Sequence, residues 1–503
     1  MKSKLYIFAL LTLLVANCTR EPLPEPEKEE AKIVTISASI PPETRVLYDD
    51  SDRSLAWQTG DTLLLAGYDG TTYKGSKKFH WTGGKNFQGT EVPGATTYKA
   101  YYLAKGITLD ETTGEVQLPA DFWQQAQNGN NSTAHLRNKL LLFDENANPI
   151  TQRFSLALKS SIIKLNLTGI PEDAGELYQL IYTVETASGV FESVSLDVTG
   201  VTFSADLNNI TAFLSFDPTE MTNIAANGKV IISLYGEKSY MWKIDAVTQE
   251  KTYAAGKRYT GAVSSGWIEI INPLRYVARY NVNPAGTGFV EDLTACEGSG
   301  YFNWNQASVI SLPGYHLPSQ KEWRGIAPEA YGYVLFKTTV DKNNITEYVT
   351  VRNQDITMTC DYRNVGTQTN PAPSYALRYK GNDNMLSAWK YEYNYDTNLE
   401  HTHLKVTCRN VVPSIPIDTI AQYTFWITNN KNDIVRYFPA SGWVTSGHPN
   451  VVGTGGYFWS STQYRPDKYD NLFYSMYFTP TVVQFNRNDK LLEYSVRLFV
   501  NTD

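Results

Sequence analysis

Alternating apolar and polar residues predict β-strands along the first half of the chain. In residues 34–40 the apolar side chains fall on one parity, which is the period of a strand with one buried face. Residues 154–158 and 163–167 repeat this alternation, and residues 62–68 and 230–235 are apolar runs of strand length. We therefore predict a chain built mainly of β-strands.

Turn residues and a change of composition divide these strands into three modules. A Gly-Ile-Pro stretch at residues 169–171 follows the first group of strands, so we predict one β-sandwich at 34–168 and a second at 169–265. From residue 268 to 503 aromatic residues and glycine become denser, which indicates a third domain. Outside this domain we expect one short helix, at residues 122–126.

The amino terminus resembles that of an exported bacterial lipoprotein. Residues 1–18 combine Lys2 and Lys4 with an apolar run of about 12 residues, too short to span a bilayer, and end at Cys18. This looks like a lipobox, in which Cys18 would be lipidated, although Asn17 replaces the usual small residue. The alternative is an ordinary signal peptide with a chance cysteine. Residues 19–33 are rich in Glu and Pro and predict an extended tether. No later run approaches 18 consecutive apolar residues, so we expect attachment to the membrane by the lipid alone.

Composition excludes some functions without naming one. The 503 residues carry 44 Lys and Arg against 51 Asp and Glu, a formal net charge of −7. This acidic balance argues against nucleic-acid binding, which requires a basic surface. Four cysteines are too few for a disulfide scaffold, and 34 tyrosines favour strands and contact surfaces.

Four short motifs between residues 34 and 263 resemble the fimbrillin-like family. They are TRV at 44–46, WQTGD at 57–61, YKAYY at 98–102 and AGKRY at 255–259. The family consists of lipoprotein precursors of anaerobic Gram-negative bacteria that form surface pili, anchors or tips. The resemblance implies two β-sandwiches in series and other pilin subunits as partners.

Individual residues of these motifs also have expected roles. Trp57 is interpreted as a core aromatic at a strand end, and Gly60 with Asp61 as a turn before a strand. In related pilins, proteolysis near the amino terminus frees a groove for a strand of the next subunit. Arg45 would be such a cleavage site, or alternatively a plain strand residue.

Three motifs in the last third resemble FISUMP-type domains, which belong to the C-type-lectin-like and formylglycine-generating-enzyme-like fold group. They are YHLPSQKEW at 315–323, YFWSST at 457–462 and YSVRL at 494–498. The resemblance implies an α+β, C-type-lectin-like domain at 268–503. The motif residues that we interpret as structural are His316, Pro318, Glu322, Trp323, Trp459, Ser460, Ser461 and Arg497.

The first of these motifs also predicts local structure. Ser319 and Glu322 have the spacing of a capping box, so a helix should begin at Gln320 and point Trp323 inward. His316 precedes this helix and is either a buried, hydrogen-bonded histidine or a ligand-binding or catalytic one.

Candidate chemistry is sparse. The His-x-His pair at 401 and 403 lacks a well-spaced third ligand, so we predict neither a metal nor another cofactor. Cys296, Cys360 and Cys408 can form at most one disulfide, and none lies late enough for the thiol chemistry of formylglycine-generating enzymes. No hydrolase, protease or nucleotide-binding motif stands in a supporting context.

Tyrosine and tryptophan in loop-like stretches of the last third are the remaining candidates for function. We predict a ligand-binding surface made by Trp389, Tyr391, Tyr393, Tyr464 and Tyr469, because such rings stack on sugars or anchor protein partners. The leading hypothesis is a non-enzymatic, outer-membrane lipoprotein of fimbrillin type, at a pilus tip or as an accessory adhesin on the cell surface. Its partners would be pilin subunits and a host or bacterial glycan or protein. The alternatives are a stand-alone glycan-binding lipoprotein and an enzyme of the formylglycine-generating-like group.

Overall fold

A computed structural model describes residues 32–40, 57–102, 106–199, 210–221, 223–428 and 430–502. Cys18 and Arg45 lie outside these residues. Within the described ranges no helix is long and apolar enough to cross a membrane.

The first region is one sheet wrapped around an apolar core. Its strands are β1 Ile33–Ser39, β2 Thr62–Asp69, β3 Thr72–Gly83, β4 Asn86–Thr90, β5 Thr97–Tyr102, β6 Thr108–Leu109, β7 Val116–Gln117, β8 Gln125–Ala126, β9 Leu142–Asn148, β10 Phe154–Ser155 and β11 Ala157–Leu158, with a 3-10 helix at Ala134–Lys139. Eight of them pair in the order β10-β1-β4-β3-β2-β5-β9-β11. The two edge strands are separated only by Leu156, so the edges of the sheet meet.

The second region is a sandwich of two sheets. Its elements are β12 Ser161–Leu167, β13 Leu177–Glu185, β14 Phe191–Asp197, β15 Ile210–Phe216, β16 Asn223–Ile224, β17 Val230–Gly236, β18 Ser239–Ile244, β19 Lys251–Thr252, β20 Arg258–Val263, β21 Ile268–Ile270 and a 3-10 helix at Glu172–Ala174. The sheet β15-β12-β20 packs against the sheet β21-β18-β17-β13-β14-β8, and both contribute to one apolar core.

The third region contains two larger antiparallel sheets, two two-stranded ones and four short helices. The strands are β22 Tyr315–His316, β23 Val334–Leu335, β24 Val340–Val351, β25 Gln354–Asn364, β26 Ser374–Lys380, β27 Ser387–Asn394, β28 His403–Asn410, β29 Ile434–Pro439, β30 Trp443–Thr445, β31 His448–Asn450, β32 Gly456–Gln463, β33 Leu472–Phe478, β34 Val482–Asp489 and β35 Phe499–Val500. The helices are α1 Trp304–Ala307, α2 Gln320–Arg324, α3 Ile417–Ile420 and α4 Tyr423–Ile427, with 3-10 turns at Pro273–Tyr276 and Asn430–Asn432. Strands β24 to β29 form one sheet in sequence order, and β23-β34-β33-β32 form the other.

The mainly β prediction is confirmed, but strand pairing crosses the predicted boundaries. β12 lies before residue 168, yet it pairs with β15 and β20 of the second sandwich because its apolar side chains face that core. β21 lies after residue 268, yet it pairs with β18 of the same sandwich. By strand pairing, β12 and β21 both belong to the second sandwich.

The helix expected at residues 122–126 is wrong. Residues 125–126 form β8, which runs parallel to β14. The side-chain amide of Gln125 donates to the carbonyl of Ser215 at 2.7 Å and accepts from its N–H at 2.7 Å, which holds the segment extended. Tertiary hydrogen bonds override local preference here.

Candidate binding surface of the C-terminal region

The tryptophans of the C-terminal motifs form the core and not a surface. Trp323 and Trp459 are both completely buried. The indole N–H of Trp323 donates to the carbonyl of Trp459 at 3.1 Å, and that of Trp459 donates to Phe302 at 2.8 Å. Ser460 is buried and accepts at its carbonyl from the indole of Trp304 at 2.9 Å. These motifs therefore hold distant segments together.

Helix α2 begins as the capping box predicts. The Ser319 hydroxyl accepts from the N–H of Glu322, and the Glu322 carboxylate accepts from the N–H of Ser319 at 2.7 Å. The carbonyl of Pro318 accepts from the N–H of Ser461 at 2.8 Å, which joins the helix entry to β32. Pro318 and Ser461 thus position the helix.

His316 ties this helix to the end of the chain. Its Nε2 lies 2.8 Å from Oε1 of Glu322, and its Nδ1 lies 2.8 Å from Oδ1 of Asn501. The hydrogen bond with Glu322 raises the pKa of His316 above its ordinary value. Burial alone would raise the pKa of Glu322, but hydrogen bonds from His316 and Ser319 lower it on balance. Because both ring nitrogens are engaged, His316 is a structural residue here.

We expect the stabilisation by His316 and Glu322 to be greatest at mildly acidic pH. The raised pKa of His316 means that its contribution is complete below 6.5 and is lost as pH rises through the raised value. The lowered pKa of Glu322 means that its contribution is complete above 4.5 and is lost as pH falls through the lowered value. The thermal midpoint of wild type should therefore exceed that of His316→Gln most between about pH 4.5 and 6.5. The exposed His448→Gln variant is the control, and a pH-independent difference for His316→Gln would contradict the assignment.

The motif at residues 57–61 is also structural. The indole N–H of Trp57 donates to the carbonyl of Ala38 at 3.1 Å, and its ring meets Phe87 edge-on at 4.8 Å. Gly60 has a φ of 92°, which suits glycine, and forms the turn before β2. Asp61 is buried and accepts from Tyr102 at 3.0 Å and from Arg137. These residues fix the entry to the first sheet.

The predicted exposure of Trp389 and Tyr391 is wrong. Both have 0% exposure, because they lie on the inner face of β27 and not in a loop. They stack on each other at 6.2 Å, and the Tyr391 hydroxyl donates to the carbonyl of Ile326 at 2.8 Å. Beside them lies a buried ion pair, in which Arg378 donates to Glu347 at 2.9 Å.

The three cysteines of this region are free and buried. Burial raises the pKa of the Cys360 thiol to about 12 and raises the pKa values of Cys296 and Cys408 as well. Thiols in such surroundings are poor nucleophiles.

Among the described residues no group of three metal-ligating side chains comes together, and His403 is bonded through Nδ1 to the carbonyl of His401 at 2.6 Å.

Tyr393, the next inward residue of β27, lines an open groove of about 510 Å³. We call it the aromatic groove; its apolar lining residues are Phe336, Pro371, Pro373, Tyr393, Tyr395 and Pro480, with Lys337, Glu392 and Asn394 as polar neighbours. The hydroxyl of Tyr393 donates to the carbonyl of Thr454 at 3.0 Å, whereas Tyr395 is 61% exposed. Tyr393 thus forms a fixed wall of the groove, and Tyr395 is its most exposed aromatic residue.

The walls of the aromatic groove are held by hydrogen bonds. The backbone of Phe336 accepts from Ala372 at 3.0 Å and donates to Thr481 at 3.0 Å. The side-chain amide of Asn364 donates to the carbonyls of Ala372 and Pro373. The groove is therefore formed before any ligand arrives, which reduces the entropy cost of binding.

Tyr464 and Tyr469 come together with cationic side chains on the loop between β32 and β33. Their rings stack at 5.6 Å, and Tyr474 meets Tyr464 edge-on at 5.6 Å. We call this group the Tyr464 cluster; it consists of Tyr464, Arg465, Lys468, Tyr469, Tyr474 and Arg487. Arg487 donates to the Tyr464 hydroxyl at 2.7 Å. Arg487, Phe336 and the three prolines carried no local signal of function in the sequence.

Comparison with known families shows that one family model matches part of the chain. Residues 269–499 match the model of a family described as a domain of unknown function, DUF8237. No curated protein is detectably similar to this chain.

Solved structures with partial similarity are described as adhesion and fimbrial proteins. A candidate cell adhesion protein from Bacteroides ovatus is 16% identical and has a TM-score of 0.29, over 48% of this chain and 96% of that chain. A candidate cell adhesion protein from Bacteroides uniformis is 15% identical with a TM-score of 0.27, over 49% and 97%. A fimbrial protein from Bacteroides ovatus is 12% identical with a TM-score of 0.24, over 92% and 98%. TM-scores of this size establish no shared function.

Proposed function

We propose that this protein is a non-enzymatic, lipid-anchored surface protein of fimbrial type, whose C-terminal region binds a glycan. The aromatic groove carries this proposal. A sugar presents an apolar ring face and a rim of hydroxyls, and the groove offers the exposed ring of Tyr395 beside Glu392, Asn394 and Lys337. This matches a sugar better than a wholly apolar peptide.

Tyr395→Ala is expected to weaken glycan binding about tenfold or more, because it removes the exposed stacking surface and leaves the fixed walls intact. Binding of the full mature chain to a glycan array, followed by titration of the best ligand, would measure this. Tyr348→Ala is the matched control, because Tyr348 is 58% exposed on β24 and does not line the groove. Unchanged binding in Tyr395→Ala, or an equal loss in Tyr348→Ala, would reject the groove as the site.

The pilus role is proposed on the arrangement of the amino-terminal strand. β1 lies between β4 and β10, and its Ile36 and Ala38 are buried in the first core. Arg45 follows β1 in sequence, so cleavage there would detach β1 from the rest of the chain and open the sheet between β4 and β10. An additional C-terminal region would block or replace a polymerising strand, which favours a terminal subunit.

A terminal subunit should co-purify with sheared pili, and Arg45→Ala should remain uncleaved and absent from them. The control is Arg153→Ala, an exposed arginine of the same region. Recovery of wild type only as a monomeric membrane lipoprotein would instead favour the stand-alone glycan-binding alternative.

Labelling with a lipid precursor, compared between wild type and Cys18→Ala, tests the anchor.

A further inference from the structure

The Tyr464 cluster places its cations on the aromatic rings. The guanidinium carbons of Arg487 and Arg465 lie 4.5 and 5.4 Å from the centre of the Tyr464 ring, and the Lys468 ammonium lies 5.6 Å from that of Tyr469. Since Tyr469 also stacks on Tyr464, the Tyr464 ring is covered by protein groups. This ring is therefore not a stacking platform for a sugar but a support for two arginines.

Within the part of the chain that the structure describes, these cations have no carboxylate as an ion-pair partner. Among the described residues, no carboxylate oxygen lies within 4.0 Å, the limit for an ion pair, of a side-chain nitrogen of Arg465, Lys468 or Arg487. Asp467 and Asp470 are exposed on the same loop without such contacts. Asp489 is engaged with Asn471 at 2.8 Å and with the N–H of Leu491 at 2.9 Å. Two guanidinium groups on one ring, without a counter-ion, make a receptor for an anionic group.

The loop that carries the cluster is pre-formed. The N–H of Tyr464 donates to Leu472 at 2.8 Å, and the N–H groups of Lys468 and Tyr469 both donate to Arg465 at 2.9 Å. The side chain of Gln463 donates to the carbonyl of Tyr469 at 2.8 Å. These bonds fix the loop backbone at Arg465, and the hydrogen bond to the Tyr464 hydroxyl holds the guanidinium of Arg487, which reduces the entropy lost when a ligand binds.

The cluster and the aromatic groove lie at opposite ends of one hairpin. Tyr474 pairs with Arg487 at one end of β33 and β34, and Pro480 of the groove lies in the turn at the other end. At about 3.3 Å per strand residue, the two sites are roughly 15 to 20 Å apart. A linear polymer that occupied both sites would bind with a higher affinity than either site gives alone.

We propose that the Tyr464 cluster binds the acid groups, carboxylate or sulfate, of an acidic polysaccharide whose chain also reaches the aromatic groove. This deepens the proposed function, on which it rests, by naming the ligand class. Arg465 and Arg487 would each donate to an acid group of the polymer, and Lys468 would contribute to the positive potential.

The test measures binding of the full mature chain to polygalacturonate, which carries carboxylates, to dextran sulfate, which carries sulfates, and to neutral dextran. Arg487→Gln and Arg465→Gln should each weaken binding to an acidic polymer about tenfold, whereas Arg487→Lys should lose less. Asp467→Asn should strengthen binding, because it removes a repelling charge. Added salt should weaken acidic-polymer binding in wild type and less so in Arg487→Gln. Arginine-dependent binding of polygalacturonate would identify the bound acid group as a carboxylate, and arginine-dependent binding of dextran sulfate would identify it as a sulfate.

Arg153→Gln is the matched control, since Arg153 is exposed and distant in sequence. An equal loss in Arg153→Gln, or unchanged binding in the Arg465→Gln, Arg487→Gln double variant, would overturn the proposal. Equally strong, equally arginine-dependent binding of single-stranded DNA would overturn it too, because it would show unselective attraction of polyanions. If Tyr395→Ala abolishes binding while the arginine variants do not, this inference fails and the glycan-binding proposal stands.

Discussion

Arg378→Met is expected to destabilise the C-terminal region by about 3–5 kcal/mol, because it leaves the carboxylate of Glu347 buried without its cation. Arg378 is completely buried, and it also donates to the carbonyls of Gly325, at 3.0 Å, and of Arg324. The hydroxyl of Tyr362 donates to the same Glu347 oxygen at 2.9 Å. The ion pair thus links α2 to strands β24, β25 and β26, and its loss affects all four elements.

The measurement is urea unfolding combined with peptide-resolved hydrogen exchange, since a chain of several regions need not unfold in one step. The double variant Glu347→Leu, Arg378→Met should be more stable than Arg378→Met alone, because no lone charge remains buried. Lys321→Ala breaks an exposed pair with Asp355 and should leave the midpoint unchanged. If Arg378→Met left the urea unfolding midpoint unchanged, as Lys321→Ala should, the ion pair of Arg378 and Glu347 would not stabilise the region.

Local patterns allowed the strands to be predicted but not the groups that meet across them. The one-sided alternation predicted β1 and the capping box predicted the start of α2, because a strand face and a helix start are defined within a few residues. Glu347 and Arg378 lie 31 positions apart and meet only through the pairing of β24, β25 and β26.

The segment Trp389 to Tyr393 shows how a correct pattern was given the wrong interpretation. Trp389, Tyr391 and Tyr393 alternate with Lys390 and Glu392, which is the period of a half-buried strand. The surrounding Asn and Asp favoured a loop, and the rings were therefore predicted on the surface. The strand places all three on one face, and only Tyr393 reaches the aromatic groove.

The aromatic groove itself had no detectable sequence signal. Its lining comes from residues 336–337, 371–373, 392–395 and 480, which four separate segments supply. Proline at 371, 373 and 480 is equally typical of any loop. These segments belong to the two larger sheets of the third region and meet only where those sheets come together, as in the hydrogen bond from Ala372 to Phe336.

Arg497→Lys is expected to destabilise the C-terminal region by about 3 kcal/mol or more, although it keeps the charge. Arg497 has 0% exposure and donates to Asn281 Oδ1 at 2.7 Å, to the carbonyls of Ala278 and Arg279 at 2.9 Å, and to Tyr437 at 2.8 Å. One ammonium group cannot reach acceptors on opposite sides of a planar guanidinium, so buried carbonyls would lose their donors.

The loss should appear first where Arg497 joins the two ends of the region. The N–H of Ala278 donates to Leu498 at 3.0 Å and that of Val282 donates to Val496 at 2.9 Å, so faster hydrogen exchange at Ala278 and Val282 would report the change. Arg352→Lys is the matched control, because Arg352 is part-exposed and bonds a single carboxylate, Glu269, at 2.6 Å, which lysine can replace. Unchanged exchange in Arg497→Lys would mean that the charge alone matters. Faster exchange in Arg497→Lys but not in Arg352→Lys would mean that the planar guanidinium of Arg497 is needed to hold the two ends of the C-terminal region together.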